Sequence, residues 1–456
     1  MGARVGGRAR QMGVMALVAA AILAAAVAMG VLSVEVSDLA PMIALVVLAI
    51  GLMAVDPIFL IALSVPATLL MTRVGGVLSV SDVVLAMATA LALIVVPRAE
   101  FVPIRPLIWA GIAYLATSLP TTVLNPYSAN IIEWVHEVFL VVGSMVVGLA
   151  IGRYGGTGVA VGGYVLACVG IAIVTTVVAF SMLVTRGEFG PVYLPMLHKN
   201  LIGGALAVAL VILYGRPAWF RWPTTWTWIA AAVCGVGILA SGARQGMVGA
   251  MVGVLVIALR RDPVTGKRRL VPWILAIPVT VAVFTLVNDQ LSEDNPFNSA
   301  YQRLDWYEES IKIWLNSPVF GVGLRWWYTG EYAAFQPPNA ELEVLTSVGV
   351  VGLIGFLAMF VIGFWALWRI DPAYGTVGAA VVATRFTQGQ FDLYWVAGQA
   401  SLLWIIAGIC FGAKALDEAR QRNATDTLGP VVQTVRGLTM LPGPRKRATL
   451  RSDSRP

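Results

Sequence analysis

Long apolar stretches separated by short polar segments dominate the chain. A helix that crosses a bilayer needs about 20 predominantly apolar residues, and runs of this kind recur from Met12 to Phe411. They do not alternate and are longer than the strands of a membrane barrel, so the pattern indicates helices. The sequence predicts an all-α, polytopic transmembrane bundle of about 12–14 spans. The predicted spans begin near Gln11, Leu39, Pro57, Asp82, Leu107, Trp134, Val159, Leu201, Thr224, Gln245, Val271, Glu341, Tyr374 and Tyr394.

Composition agrees with this pattern. Of the 456 residues, 58% are hydrophobic and only 12% are charged, whereas soluble globular proteins carry roughly 25% charged residues. The mean hydropathy is +0.81. These values exclude a water-soluble fold. We divide the chain into a transmembrane domain, residues 1–416, and a basic cytoplasmic tail, residues 417–456, which we predict to be disordered.

The distribution of basic residues predicts the orientation. With the amino terminus in the cytoplasm, most Lys and Arg fall in cytoplasmic segments, including Arg98, Arg153, Arg260 and the tail. Both termini are therefore expected on the cytoplasmic side of the inner membrane. The net charge of +7 then reflects contact with anionic lipid head groups, and nucleic acid is not an expected partner.

One long outer loop, residues 288–339, interrupts the alternation of spans and is rich in aromatic residues. Leu304, Ile311, Trp314 and Leu315 fall at helical spacing, which predicts an amphipathic helix on the membrane surface. Loops of this length are usually functional or disordered, and the aromatic content favours function.

Several outer basic residues lie directly beside apolar spans. Arg244 follows one span and the next begins at once, and a guanidinium inserted at that depth costs about 2.5–3.5 kcal/mol. Such a residue usually faces a cavity, although an interfacial Arg that reaches lipid phosphates is the alternative. Arg303 and Arg73 have similar outer positions, and a salt bridge to Asp305 is the simpler interpretation for Arg303.

Two further polar groups lie on the same side. His198, Lys199 and Asn200 form a polar cluster where a span begins, although a lone His is more often structural than catalytic. After the long loop, Asn339 and Glu343 are four residues apart and are predicted to share one helical face. The helix dipole favours acids at this position.

The ordered motifs around these residues resemble those of the O-antigen ligase and polymerase superfamily. Residues 316–324, N-S-P-V-F-G-V-G-L, resemble that family's S-P-x-x-G-x-G turn, and residues 339–352 resemble its N-x-x-L-E-x-L-x-x-x-G-x-x-G helix. Residues 241–246 resemble its S-x-x-R element, and the helix opening around Arg303 resembles another. The resemblance covers roughly residues 190–370.

This resemblance implies a glycosyltransferase that acts on the outer face of the membrane. Its donor would be a polyprenyl-diphosphate-linked sugar or glycan and its acceptor another envelope glycan or glycolipid. The transfer would be inverting and independent of metal or other cofactors. Guanidinium groups suit the departing diphosphate because they bind phosphate oxygens in bidentate fashion. The expected diphosphate ligands are Arg244, Arg303 and Arg73, and the residues expected to shape the acceptor site are Asn339, Asn200 and Lys199.

One position departs from the family pattern. The family has a His where this chain has Pro338, which can exchange no proton. The candidate catalytic residues are therefore Glu341, His198 and Glu343, of which Glu341 lies on a different helical face from Glu343. A chain that has lost the activity is a further alternative.

Two other function classes remain open. A transporter or flippase of lipid-linked saccharides would also place arginines in a cavity, but it should show inverted repeats and charged or broken helices near the midplane. The ionisable residues of this chain gather at one surface instead, which favours surface chemistry. A non-catalytic partner in envelope assembly is the third hypothesis.

Overall fold

The computed structural model describes a helical bundle. It covers residues 56–74, 78–187, 190–260, 272, 299–332, 336–337, 339–395 and 397–438, with the side chains of 74, 299–304, 397 and 425–438 excepted. The predicted spans near Gln11, Leu39 and Val271 lie outside the described residues, as does Pro338. The helices are α1 Pro57–Ala67, α2 Val80–Val95, α3 Arg105–Leu124, α4 Ser128–Val138, α5 Ser144–Arg153, α6 Thr157–Arg186, α7 Lys199–Gly215, α8 Thr224–Ser241, α9 Arg244–Leu259, α10 Ser299–Trp314, α11 Ala340–Arg369, α12 Pro372–Gly389 and α13 Ala397–Leu438.

Shorter elements complete the described part of the chain. A two-stranded antiparallel sheet pairs β1 Arg73–Val74 with β2 Leu78–Ser79, and 3₁₀ helices cover Arg98–Ile104 and Trp326–Tyr328. A π-helical turn, Phe139–Gly143, joins α4 to α5 into one continuous helix. π-Bulges are frequent at functional sites.

The predicted fold class is confirmed. Each predicted span that falls within the described residues coincides with one of the helices, and six helical segments there are long and apolar enough to cross a membrane. Four shorter apolar helices, α1, α2, α7 and α9, accompany them. The chain is a multi-pass membrane protein.

Small residues allow the closest helix contacts. The two helices α5 and α13 pack along each other, and a Cβ placed on Gly148 would lie 2.0 Å from the carbonyl oxygen of Ile405. Backbones can approach this closely only where side chains are absent, and such packing drives helix association in lipid.

Helix α11 is broken near its start. Gly349 has φ +69° and ψ −171°, a conformation essentially restricted to glycine. The loop 318–323 binds the backbone groups that the break leaves open. The N–H groups of Val322 and Gly323 donate to the carbonyls of Thr346 and Ser347 at 2.9 Å, and Val350 N–H donates to the Pro318 carbonyl at 3.0 Å. The two family-like motifs are therefore one interlocked unit.

At the opposite end of the bundle, two arginines have ordinary partners. Arg153 pairs with Glu100 at 2.6 Å, and Arg260 donates to the carbonyl of Ile370 at 2.8 Å while lying 4.7 Å from the ring of Trp368. The last helix continues to Leu438, past the point where the sequence analysis placed a disordered tail. The Lys414 and Glu418 ion pair, one helical turn apart, supports that continuation.

Candidate active site

A group of buried charged residues lies at the end of the bundle that the charge pattern places outside. We call it the acidic cluster. It is built from the start of α2, the middle of α4, the loop after the glycine turn and the start of α11. Its members are Asp82, Glu133, His136, Glu137, Arg325 and Glu343.

A chain of ion pairs runs through the acidic cluster. His136 Nε2 lies 3.0 Å from Asp82 Oδ1, and His136 Nδ1 lies 3.2 Å from Glu133 Oε2. Glu133 Oε2 also binds Arg325 Nη2 at 2.8 Å. The Nδ1 atom of His136 is hydrogen-bonded to Glu133, whereas the contact of Nε2 with Asp82 has ion-pair distance without hydrogen-bond geometry. A ring held between two carboxylates is favoured as the charged imidazolium. Asp82, His136, Glu133 and Arg325 therefore form a neutral chain that joins α2, α4 and the outer loop.

Local backbone geometry directs Arg325 into this chain. Its φ of +60° is left-handed, which is uncommon for a residue with a side chain, and it follows Gly323 at φ +106°. The neighbouring Leu324 N–H donates to Asn130 Oδ1 of α4 at 2.9 Å. Although burial opposes the charged guanidinium, the ion pair with Glu133 raises the pKa of Arg325 above its usual value.

A small cavity opens beside the chain of ion pairs. Two carboxylates on its wall are each held through one oxygen: Tyr114 donates to Glu137 Oε2 at 2.9 Å, and Gln336 donates to Glu343 Oε1 at 2.8 Å. Glu343 is only 3% exposed. The polar and aromatic residues that line this cavity are Glu133, Glu137, Arg325, Glu343, Ser347, Trp327 and Trp395.

Arg73 lies close to the acidic cluster. Burial would raise the pKa of Tyr328, but the nearby guanidinium groups of Arg325 and then Arg73 lower it. The Arg325 guanidinium is 5.8 Å from the Tyr328 ring centre. The structure thus brings predicted Arg73 and Glu343 to one region, together with Arg325.

The second polar region, which we call the amide cluster, is formed by the starts of α7, α9 and α13 and the end of α12. Gln245 Nε2 donates to the carbonyl of Asn200 and to Asp392 Oδ2, both at 3.0 Å. The half-buried side chain of Arg244 begins α9 directly before Gln245. The members of the amide cluster are His198, Lys199, Asn200, Arg244, Gln245, Arg385, Gln388, Asp392 and Gln399.

Arg385 is the most deeply buried cation of the amide cluster, at 2% exposure. Its Nη1 donates to Gln388 Oε1 at 2.6 Å and its Nε donates to the Gln399 carbonyl at 3.2 Å, while Nη2 has no hydrogen-bond partner. Among the described residues, no carboxylate lies within ion-pair distance of this guanidinium. Buried charges are usually paired, so an unpaired one inside a membrane protein indicates function.

Residues 390–395 lie between the two clusters. Asn339 caps α11 by accepting from Leu342 N–H at 3.0 Å, and it donates to the Gln390 carbonyl at 3.1 Å. Glu341 accepts a hydrogen bond from the Gln390 side chain. Asn339 and Glu341 thus share a partner, whereas Glu343 belongs to the acidic cluster. Asn339 and Glu343 lie one helical turn apart, since Glu343 N–H donates to the Asn339 carbonyl at 3.0 Å, but the Asn339 amide is bound to Gln390 and the Glu343 carboxylate to Gln336.

His198 has a structural partner. It caps α7, where its Nδ1 accepts from Asn200 N–H at 3.3 Å, and its ring meets Tyr193 edge-on at 5.1 Å. Burial lowers the pKa of His198 below its usual value. A neutral ring with Nδ1 engaged offers Nε2 as its proton-exchanging atom.

The sequence analysis missed most of the acidic cluster. The signal was present as Glu133-x-x-His136-Glu137 inside an apolar span, since ionisable residues within membrane helices mark functional sites. Arg325 was not among the basic residues selected from the sequence. The side chain of Arg303 lies outside the described residues, so its predicted role stays a prediction.

Comparisons with known proteins point to the same family as the motifs. Residues 229–357 match the family described as O-antigen ligase. An O-antigen ligase of Pseudomonas aeruginosa is 24% identical over 227 residues, which cover 48% of this chain and 54% of that protein. The match thus spans about half the length of this curated relative. The matched region includes Arg244, Arg325 and the broken start of α11, whereas Glu133 and His136 precede the family match.

Proposed function

We propose that this membrane protein, whose resemblance to the O-antigen ligase family is confirmed by both comparisons, transfers a polyprenyl-diphosphate-linked glycan to an envelope glycan acceptor. The reaction takes place at the end of the bundle that contains the acidic and amide clusters. The observation that carries the proposal is the position of Glu343. It lies on the broken helix of the matched region, buried beside Arg325, with Oε2 lacking a hydrogen-bond partner.

The chemistry needs a proton acceptor and an anion-binding group. An acceptor hydroxyl oxygen attacks the anomeric carbon of the donor glycan, and its proton passes to Glu343. The bond from that carbon to the diphosphate oxygen breaks, and the diphosphate leaves with the electron pair. Arg244, Arg303 and Arg73 are the proposed diphosphate ligands, because preorganised guanidinium donors stabilise the charge that develops there. The reaction needs no metal under this proposal.

Glu343 is the best of the three candidate bases on structural grounds. Glu341 and Glu343 are each bound by one glutamine through one oxygen, and the Nδ1 of His198 is engaged as a helix cap, so the cavity decides between the two acids. Glu343 is the candidate that lines a cavity together with a guanidinium. Glu343, four positions after the helix cap Asn339, would then take the role of the His that the family has at the position of Pro338.

The diphosphate ligands can be tested in reconstituted vesicles. With lipid-linked glycans from cells lacking the protein as donor, Arg244→Ala and Arg303→Ala should each lower the transfer rate by about 10²–10³-fold. Arg186→Ala is the matched control, because this exposed Arg ends α6 away from both clusters. Full activity in both test variants would contradict the assignment.

A transporter of lipid-linked saccharides is the second candidate, and the break at Gly349 is the observation that favours it. Discontinuous helices form substrate sites near the midplane of many transporters. However, Gly349 lies only nine residues after Ala340, roughly 14 Å along a 30-residue helix, and therefore in its outer third. That position suits a site at the membrane surface better. Vesicles that show glycan translocation without transfer would favour the transporter.

A further inference from the structure

A second small cavity lies beside Arg385 in the amide cluster. Most of its wall is apolar and is formed by Leu69, Ala205, Val208 and Leu402. The cavity has room for about one water molecule. Its occupant must therefore be a water molecule or a monatomic ion of similar size.

The Arg385 guanidinium brings an unbalanced charge to this wall. Its Nη1 and Nε groups donate to Gln388 and Gln399, whereas Nη2 has no hydrogen-bond partner. A water molecule would complete the hydrogen bonds but would leave the positive charge in place. Among the residues that the structure describes, no carboxylate lies within ion-pair distance of it, and Asp392 of the same cluster accepts from Gln245 instead. A charge buried without a counter-ion is costly, which favours an anion as the occupant.

The remaining polar side chains of the cavity wall already have partners. The hydroxyls of Tyr164 and Thr68 and the amide of Gln399 each donate to a backbone carbonyl, at 2.9, 2.6 and 3.1 Å. No acidic residue lines the cavity in the described part of the chain. Arg385 is therefore the side chain on this wall that needs a partner, and the partner it needs is negatively charged.

The start of α13 is a second feature of this cavity that attracts anions. Gly398 and Gln399 line the cavity and lie in the first turn of this 42-residue helix. The first N–H groups of a helix have no partner within the helix, and the helix dipole is positive at this end. A Cβ on Gly398 would lie 2.3 Å from the Thr68 carbonyl oxygen, so glycine is what allows the helix start to sit here. Guanidinium groups and helix starts are common anion-binding groups in proteins.

We propose that this cavity binds a chloride ion, which is held by Arg385 Nη2 and by the first N–H groups of α13. A chloride ion is small enough for the cavity, and it supplies the negative charge that the wall lacks. The apolar side chains around it exclude water and strengthen its attraction to the guanidinium. This inference goes beyond the proposed function, because it concerns the protein without a bound donor.

Chloride binding can be measured by chlorine NMR. We would titrate sodium chloride into the full chain in nanodiscs of zwitterionic phosphatidylcholine, with sodium gluconate keeping the ionic strength constant. The wild type should broaden the chloride line beyond the width seen with empty nanodiscs, and sodium bromide should reverse the broadening by competition. Arg385→Met should weaken chloride binding about tenfold or more, because it removes the charged donor. Arg186→Met, at the exposed end of α6, is the control and should bind as the wild type does.

A second variant keeps Arg385 and tests the cavity itself if Arg385→Met does not fold. Gly204 lines the cavity, and a Cβ there would lie 3.3 Å from Gln399 Oε1 and 3.5 Å from Gln388 Oε1. A small shift accommodates these contacts, and Ala is the better helix former, so Gly204→Ala should fold. It should weaken chloride binding about three- to tenfold, because a cavity of this size has no room for an added methyl group.

Three results would overturn the proposal. The first is a wild type that does not broaden the chloride line, which would mean that the cavity holds water alone. The second is a folded Arg385→Met variant that binds chloride as tightly as the wild type. The third is a Gly204→Ala variant with unchanged affinity. A protein that binds chloride through Arg385 but transfers no glycan would contradict the proposed function and leave the chloride site intact.

Discussion

The chain has two histidines, and they lie in two regions of very different chemistry at the same end of the bundle. In the acidic cluster, His136 is 7% exposed and is held between Asp82 and Glu133. In the amide cluster, His198 is exposed and caps a helix as a neutral ring. A histidine fixed in two ion pairs positions its neighbours, whereas a capping histidine stabilises one helix end. Neither geometry makes histidine the first choice for the base.

The unpaired groups of the two regions are complementary. The acidic cluster has carboxylate oxygens without donors, and the amide cluster has the Arg385 guanidinium without an anion. The former suits hydroxyl-bearing sugars and the latter suits phosphate oxygens. Residues 390–395 connect the two regions, because Gln390 contacts the start of α11 and Asp392 contacts Gln245. The difference indicates an acceptor side and a donor side of one site.

Substituting the two histidines should destabilise the protein to very different extents, and the loss of His136 should have the greater effect. His136→Gln leaves Asp82 and Glu133 buried without their shared cation, which should lower the free energy of unfolding by about 3–5 kcal/mol. His198→Gln loses only a helix cap and should lower it by about 1 kcal/mol or less. Denaturant unfolding in detergent micelles would measure both. Equal losses would show that the two environments do not differ as described.

Replacing Arg385 tests whether the amide cluster binds the donor. Arg385→Met should raise the KM for the lipid-linked donor about tenfold and leave the acceptor KM within about twofold, because it removes an unpaired cation. Arg260→Met at the opposite end of the bundle is the control and should leave both constants unchanged in the protein that remains folded. A rise in the acceptor KM alone would show that Arg385 does not bind the donor.

The smallest expected effect is the pH dependence of the His198 cap. Burial places the folded pKa of His198 below its unfolded value of about 6.5. The neutral ring therefore stabilises the fold fully above that unfolded value, and this contribution is lost as pH falls through the folded pKa. We would compare the free energies of unfolding of the wild type and His198→Asn at pH 7.5 and 5. The stability of the wild type relative to the variant should be lower at pH 5 by about 0.5 kcal/mol or less, because solvent screens the exposed ring. A constant difference would argue against the cap.

Much of the fold follows from local sequence. Apolar runs of about 20 residues identify spans because lipid requires each one to satisfy its own backbone, so helix positions need no tertiary information. The break at Gly349 could not be predicted in this way. It depends on hydrogen bonds from a loop more than twenty residues earlier, and glycine in a membrane helix is more often a packing residue.

Only those residues of the candidate site that stand in a recognisable sequence pattern could be predicted. Glu343 and Arg244 stand in family-like motifs, and Arg73 stands beside an apolar span. Asp82, Glu133 and His136 become a site through packing of α2 against α4, and spacing along one helix cannot reveal a partner on another. Their burial in an apolar span was the available signal.

Glu343→Gln tests most directly whether the acidic cluster takes the proton during glycan transfer. The measurement is the initial transfer rate in vesicles with lipid-linked glycans from cells lacking the protein, normalised to folded protein, with Glu309→Gln as control. We expect the rate to fall about 10²–10⁴-fold for Glu343→Gln and to stay unchanged for the control. A Glu343→Gln variant that transfers within about twofold of the wild-type rate would contradict it.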